Sequence, residues 1–195
     1  MKKITIAIIL MFCSTIYSQN KINVFTGINY SYFTDGVAGQ ILAEESFGLH
    51  IGASYEIGLN NKIAFRPAIA FDQVGDRTQT KYNYYGTQID QLDLKLSYLN
   101  VPLNFKFWNK IYLIAGPQIG FLVDKQSNNG SAQIVDSNID FGFNLGTGFT
   151  INQLFFEFGI YQGLTSIGNY VYFPTGSTKD IHNGYGQFTI GYRIK

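Results

Sequence analysis

Two stretches of this chain, Ser46–Leu59 and Asn138–Ile151, alternate strictly between two kinds of side chain. In the first, Phe47, Leu49, Ile51, Ala53, Tyr55, Ile57 and Leu59 share one parity, against Ser46, Gly48, His50, Gly52, Ser54, Glu56 and Gly58. In the second, Ile139, Phe141, Phe143, Leu145, Phe149 and Ile151 stand against Asn138, Asp140, Gly142, Asn144, Gly146 and Gly148. A period of two puts successive side chains on opposite faces of a β strand, whereas a helix needs 3.6. The chain is therefore built from strands with one bulky apolar face and one small, partly polar face.

Six further runs follow the same rule: Asn23–Phe33, Ile63–Val74, Leu92–Phe107, Leu113–Val123, Phe155–Thr165 and Gln187–Lys195. In Leu92–Phe107 the apolar residues change phase. Leu92, Leu94, Leu96 and Tyr98 have one parity and Leu99, Val101, Leu103, Phe105 and Phe107 the other, which predicts a bulge near Tyr98–Leu99. Pro67, Pro102 and Pro117 fall inside these runs, where bulges are expected to house them. The connections between runs are long, short, long, short, long, short, long; the short ones are Asn60-Asn61, Trp108–Lys110 and Asn152-Gln153. Eight runs with alternating loop lengths predict an all-β fold, an eight-stranded antiparallel up-and-down transmembrane β-barrel in one domain.

Alternation does not say which face points inward, because a soluble lipocalin-like carrier would also have eight strands, with an apolar interior. Composition separates the two. Only 14% of residues are charged, against roughly 25% in soluble domains. The small face carries Gly48, Gly52, Gly116, Gly120, Gly142, Gly146, Gly148 and Gly159, where a soluble exterior would carry Lys and Glu. The charges within strands, Glu56, Arg66, Lys106, Asp140, Glu157 and Arg193, share that face, so they are expected to form a paired network inside a narrow lumen. The bulky face then meets lipid, and closing the barrel satisfies every backbone group. Tyr30, Tyr32, Trp108, Tyr112, Tyr170, Tyr172 and Tyr192 lie near strand ends and are expected to form aromatic girdles.

The first segment reads as an address. Lys2 and Lys3 precede an apolar core from Ile4 to Cys13, within the roughly 7–15 residues of a signal peptide and too short to span a bilayer. Cleavage is expected after Ser18, leaving residues 19–195 as the barrel domain. Losing two lysines takes the 14 basic residues to 12 against 13 acidic, a net charge of −1. That balance argues against nucleic acid as a partner, and one Cys excludes a disulfide framework. Export by the Sec pathway and insertion into the outer membrane are the expected route.

Three segments carry a resemblance: Leu96-Ser97-Tyr98-Leu99-Asn100-Val101-Pro102-Leu103, Ala115-Gly116-Pro117-Gln118-Ile119-Gly120 and Tyr161-Gln162-Gly163-Leu164-Thr165-Ser166-Ile167. With Phe65-Arg66-Pro67, Val74-Gly75 and Asp140-Phe141-Gly142, they look like the PorT-type outer-membrane β-barrel domain family of Bacteroidetes, from about residue 20 to the end. The resemblance implies an eight-stranded outer-membrane barrel. Most members of that family have no assigned activity, and the one that gives it its name is linked to protein secretion. One departure is the ending Tyr192-Arg193-Ile194-Lys195, where barrels commonly finish on an aromatic residue.

Catalysis would need a His beside a Ser or a carboxylate. His50 falls on the lumen face with Ser46, Ser54 and Glu56, and His182 lies in the last long loop after Asp180. Neither has an evident nucleophile that reaches lipid, so His50 reads as a hydrogen-bonded lumen residue. Asp72, Asp76, Asp90 and Asp93 flank the second long loop without calcium-loop spacing and read as solvated charge. The expectation is a non-enzymatic, monomeric barrel with a filled lumen and no cofactor or metal. It would sit in outer-membrane lipid and offer four long extracellular loops to a protein partner, for structural, adhesive or secretion-associated interactions. The alternatives are the soluble carrier and an outer-membrane lipid-modifying enzyme.

Overall fold

The computed structural model describes residues 20–37, 39, 41, 46–75, 81–82, 88–89, 94–127, 135–172 and 177–194. The expected signal peptide, residues 1–18, and Asp76, Asp90 and Asp93 lie outside the described residues. Among the described residues eleven strands form: β1 Lys21–Asp35, β2 Ser46–Gly58, β3 Ile63–Gly75, β4 Lys81–Tyr82, β5 Gln88–Ile89, β6 Lys95–Phe107, β7 Ile111–Gln126, β8 Ile139–Ile151, β9 Leu154–Gly163, β10 Gly168–Tyr172 and β11 Ser177–Arg193. Eight of them, β1, β2, β3, β6, β7, β8, β9 and β11, pair in that order, and β1 closes on β11 from Asn23↔Arg193 to Asp35↔Ile181. All of these pairings are antiparallel, so the wall is an eight-stranded up-and-down barrel. The two-residue strands β4 and β5 pair with each other, and β10 pairs with the first residues of β11.

The bulky face points out. Phe141, Phe143 and Leu145 are 40%, 47% and 51% exposed, while their neighbours Asp140 and Gly142 are buried inside. This is the reverse of the soluble-carrier arrangement. The outward set includes Ile28, Phe47, Leu49, Ile51, Ile69, Phe105, Phe121, Phe158, Ile160 and Ile190, all exposed. A soluble protein does not present so continuous an apolar band; lipid is the solvent that stabilises it.

At the short-turn end, backbone bonds join the turns into a ring. Trp108 N–H donates to Lys62 O, Thr150 N–H to Lys110 O, Arg193 N–H to Gln153 O, and Ile194 N–H to Ile22 O. The edges a barrel would expose at this rim are thereby satisfied. Trp108 and Asn152 take positive φ, 72° and 57°, at two of these turns.

Four sequence expectations need correction. A register shift does occur between β6 and β7 at Ser97/Tyr98, but the pairs Ser97↔Asp124 and Tyr98↔Leu122 skip Val123, so the extra residue is on β7. β6 keeps one phase throughout, and Leu94, Leu96 and Tyr98 are buried inside rather than facing lipid. The prolines sit in no bulge. Pairing passes over Tyr55–Pro67 and Glu56–Arg66 between β2 and β3 and resumes in the same register at Ile57↔Phe65. It does the same beside Pro102 and Pro117, between Pro102↔Gln118 and Phe105↔Ala115. The missing N–H groups leave gaps in the ladder, not insertions. Tyr112 is no girdle residue: it is 1% exposed and points into the lumen. Tyr30, Trp108 and Tyr192 do project outward near strand ends. Finally, the last strand begins at Ser177, well before the predicted Gln187, and the ribbon β10–β11 occupies part of the expected loop 166–183.

Candidate functional site

The interior is filled in three layers. The first, at the turn end, holds the charges. Arg66 on β3 donates from Nη1 and Nη2 to Oε1 and Oε2 of Glu157 on β9, at 2.5 and 2.9 Å across the lumen. Tyr112 OH donates to the same Glu157 Oε1 at 2.7 Å. Lys106 Nζ on β6 donates to Glu56 Oε2 on β2 at 3.0 Å and lies 4.3 Å from the centre of the Tyr112 ring. Lys21 approaches the other Glu56 oxygen at 3.6 Å. All four members of the two central ion pairs are buried, so each ion depends on its partner; a lone charge there would lose its hydration without replacement.

The second layer centres on Asp72. Its Oδ1 accepts from Asn29 Nδ2 at 2.8 Å and faces His50 Nδ1 at 2.6 Å, and its Oδ2 accepts from Asn100 Nδ2 at 2.6 Å. Gln187 Nε2 donates to Asn29 Oδ1 at 2.9 Å. Across the lumen, Asn144 Nδ2 donates to Gln118 Oε1 at 3.0 Å, and Gln118 Nε2 donates to Tyr185 OH at 2.8 Å. Phe25 stacks on the His50 ring with centroids 4.9 Å apart. Between these groups lies a cavity of ≈ 40 Å³ lined by His50, Asp72, Asn104, Gln118, Tyr185 and Gln187 among others. It has room for water and no more.

The third layer closes the loop end. Asn183 Nδ2 donates to Asp140 Oδ2 at 2.8 Å and Thr165 Oγ1 to Asp140 Oδ1 at 3.3 Å. Above them Phe33, Val74, Leu94, Leu96, Ile167 and Ile181 form one buried apolar cluster. This is a small soluble-type core set into the mouth of the barrel, and it closes the lumen at that end.

The six charged residues of the expected network are therefore distributed unevenly. Glu56, Arg66, Lys106 and Glu157 pair with one another. Asp140 lies in the third layer, where hydrogen-bond donors rather than a cation surround it. Arg193 lies at the turn end, and its Nε finds no partner among the described residues. Asp72, which the sequence places among solvated loop charges, is 1% exposed at the middle of the lumen. The parity it shares with Arg66 in Ile63–Val74 was the signal that could have placed it. His50 does lie on the lumen face. His182 is buried too, with Nδ1 3.3 Å from Gly163 O.

The inner wall makes room for these side chains through glycine. A Cβ at Gly191 would stand 2.0 Å from the Phe155 ring, and one at Gly142 would stand 2.5 Å from the Tyr161 ring. The aromatic rings lie directly against the backbone at these positions.

Comparison with known proteins agrees with this architecture. Residues 17–169 match the family described as outer membrane protein beta-barrel domain. No curated protein matches the chain. Among solved structures, Neisserial surface protein A (NspA) superposes with a TM-score of 0.55 at 12% identity, covering 90% of this chain and 99% of that one. OprG from Pseudomonas aeruginosa gives 0.49 at 13% identity, covering 91% and 96%. Ail, the attachment invasion locus protein of Yersinia pestis, solved with the heparin analogue sucrose octasulfate, gives 0.48 at 14%, covering 91% and 100%. At such identities the likeness concerns the fold. The family match, the closed eight-stranded wall and the apolar outer band lead to one conclusion: the chain belongs to the outer membrane protein beta-barrel domain family and resides in the outer membrane.

Proposed function

We propose that the protein is a non-enzymatic, monomeric anchor that holds its long extracellular loops on a rigid, plugged barrel for a structural, adhesive or secretion-associated interaction. The observation that carries this reading is the filled lumen. Two buried ion pairs, a hydrogen-bonded centre on Asp72 and an apolar lid from Phe33 to Ile181 occupy the lumen among the described residues. An eight-stranded barrel has an interior just wide enough for side chains to fill. The long strands β7 and β11 and the ribbon β10–β11 carry the chain to the loop end. The resemblance of Leu96–Leu103 and Ala115–Gly120 to the PorT-type family keeps a secretion-associated role among the three.

The test replaces loop residues 42–45 and 128–134 with short Gly/Ser turns in the full chain. The expected product still migrates as a heat-modifiable folded barrel but loses surface binding or secretion in cells. Proteoliposomes holding the native protein should show solute flux near background. Porin-like conductance, or lipid turnover that His50→Ala abolishes in a folded barrel, would overturn the proposal.

A further inference from the structure

The outer wall is not uniformly bulky. Across β1, β2, β3 and β6 it recedes into an apolar groove of ≈ 470 Å³, lined by Ile22, Ala53, Tyr55, Pro67, Ile69 and Val101. That volume falls within the roughly 300–1,000 Å³ of ligand pockets. Two features of sequence create it. Ala53 is the smallest outward residue of β2, and Pro67, compact and without an N–H, faces outward on β3 beside the gap in the ladder at Tyr55–Pro67. On the opposite wall the outward residues Phe143, Leu145, Phe158 and Ile160 are all large and exposed.

The groove lies in the half of the wall nearer the short turns, the periplasmic half in barrels of this type. Its foot is the β2–β3 turn, where Lys62 is exposed, and Lys21 adjoins Ile22 at its edge. The charge at this rim has one sign. The turns Asn60–Lys62, Trp108–Lys110 and Asn152-Gln153 contain two lysines and no acid, whereas the strand ends at the loop side mix Asp35, Asp124 and Asp180 with Lys95, Lys125 and Lys179. Lys21 is partly committed to Glu56 at 3.6 Å, whereas Lys62 is exposed directly beneath the groove, with Lys110 exposed in the neighbouring turn.

We propose that this groove holds an acyl chain of one inner-leaflet phospholipid, with its phosphate at Lys62. The recess takes a flexible hydrocarbon chain out of the bulk bilayer, and the lysine supplies the opposite charge at headgroup depth. Because Ala53 and Lys62 lie outside the lumen, altering either leaves the ion pairs and the apolar lid in place.

The full barrel, stripped of lipid in mild detergent, is titrated with phosphatidylglycerol, and bound lipids are counted by native mass spectrometry. Heat-modifiable migration reports folding in the same samples. The native protein should retain one tightly held lipid. Ala53→Phe fills the recess and should lose it, Lys62→Gln should weaken it about fivefold, the factor for one lysine near a headgroup, and Leu145→Phe on the far wall should change nothing. Equal retention by native protein and Ala53→Phe overturns the proposal. So does a dimer of this chain that occupies the face instead and is dissolved by Ala53→Phe. Trp108, the one tryptophan, gives a reading that does not depend on that variant. Its backbone N–H is bonded to Lys62 O, so bromine-labelled phosphatidylglycerol should quench it more than bromine-labelled phosphatidylcholine. Lys62→Gln should erase the difference, and equal quenching by the two native-protein samples refutes headgroup selection.

Discussion

Breaking the Arg66–Glu157 pair asks whether the lumen is a dry protein interior or a wet channel. The two side chains come from β3 and β9, on opposite sides of the barrel, and meet through two parallel bonds of 2.5 and 2.9 Å. Arg66 is 7% and Glu157 6% exposed, so neither can recover hydration if its partner is lost. Glu157→Leu leaves a buried guanidinium without a counter-ion, which costs ~3–5 kcal/mol. It also removes the acceptor of Tyr112 OH, worth roughly 1–3 kcal/mol. Arg66→Met strands the carboxylate instead, at ~3–5 kcal/mol. The double variant removes both charges and fills similar volume with hydrocarbon. Only the Tyr112 hydroxyl is then left short, so its loss should be roughly 1–3 kcal/mol, far below the sum of the singles. The assay is urea unfolding in detergent micelles or lipid vesicles, followed by Trp108 fluorescence and gel migration. Single variants that each cost less than ~1 kcal/mol and add in the double would refute the reasoning, because that is how solvent-exposed pairs behave.

Two further outcomes follow from the walls. Gly191→Val should lower the folded fraction, with a cost of roughly 1–3 kcal/mol from overpacking, because a Cβ there meets the Phe155 ring at 2.0 Å; Phe155→Ala in the same chain should restore much of it, as read by heat-modifiable migration. Phe143→Arg places a charge on the lipid face and should cost ~2–4 kcal/mol in vesicle-refolding equilibria, and an unchanged stability would contradict the outward orientation.

The sequence by itself determined the eight strands of the wall and, through alternation read together with composition, the face most of them turn to lipid. Ser46–Leu59 and Asn138–Ile151 differ from the observed β2 and β8 by one residue at an end. The reason is that lipid on one side and a crowded lumen on the other force opposite chemistry onto alternate residues, and that alternation is written locally. Beyond the bilayer the constraint lapses. Lys179–Asn183 in β11 alternates poorly because its outer face no longer meets hydrocarbon, so the strand's true start was not legible. Leu94, Leu96 and Tyr98 misled for a related reason: an apolar residue reads the same whether it faces lipid or a buried lid, and only the assembled mouth of the barrel shows which. The partners within the lumen were likewise decided by tertiary structure alone. Arg66 meets Glu157 across 91 positions of sequence, and Asp72 gathers Asn29, His50 and Asn100 from three other strands. Parity places such groups inside, but shear and closure set the height at which each strand delivers them.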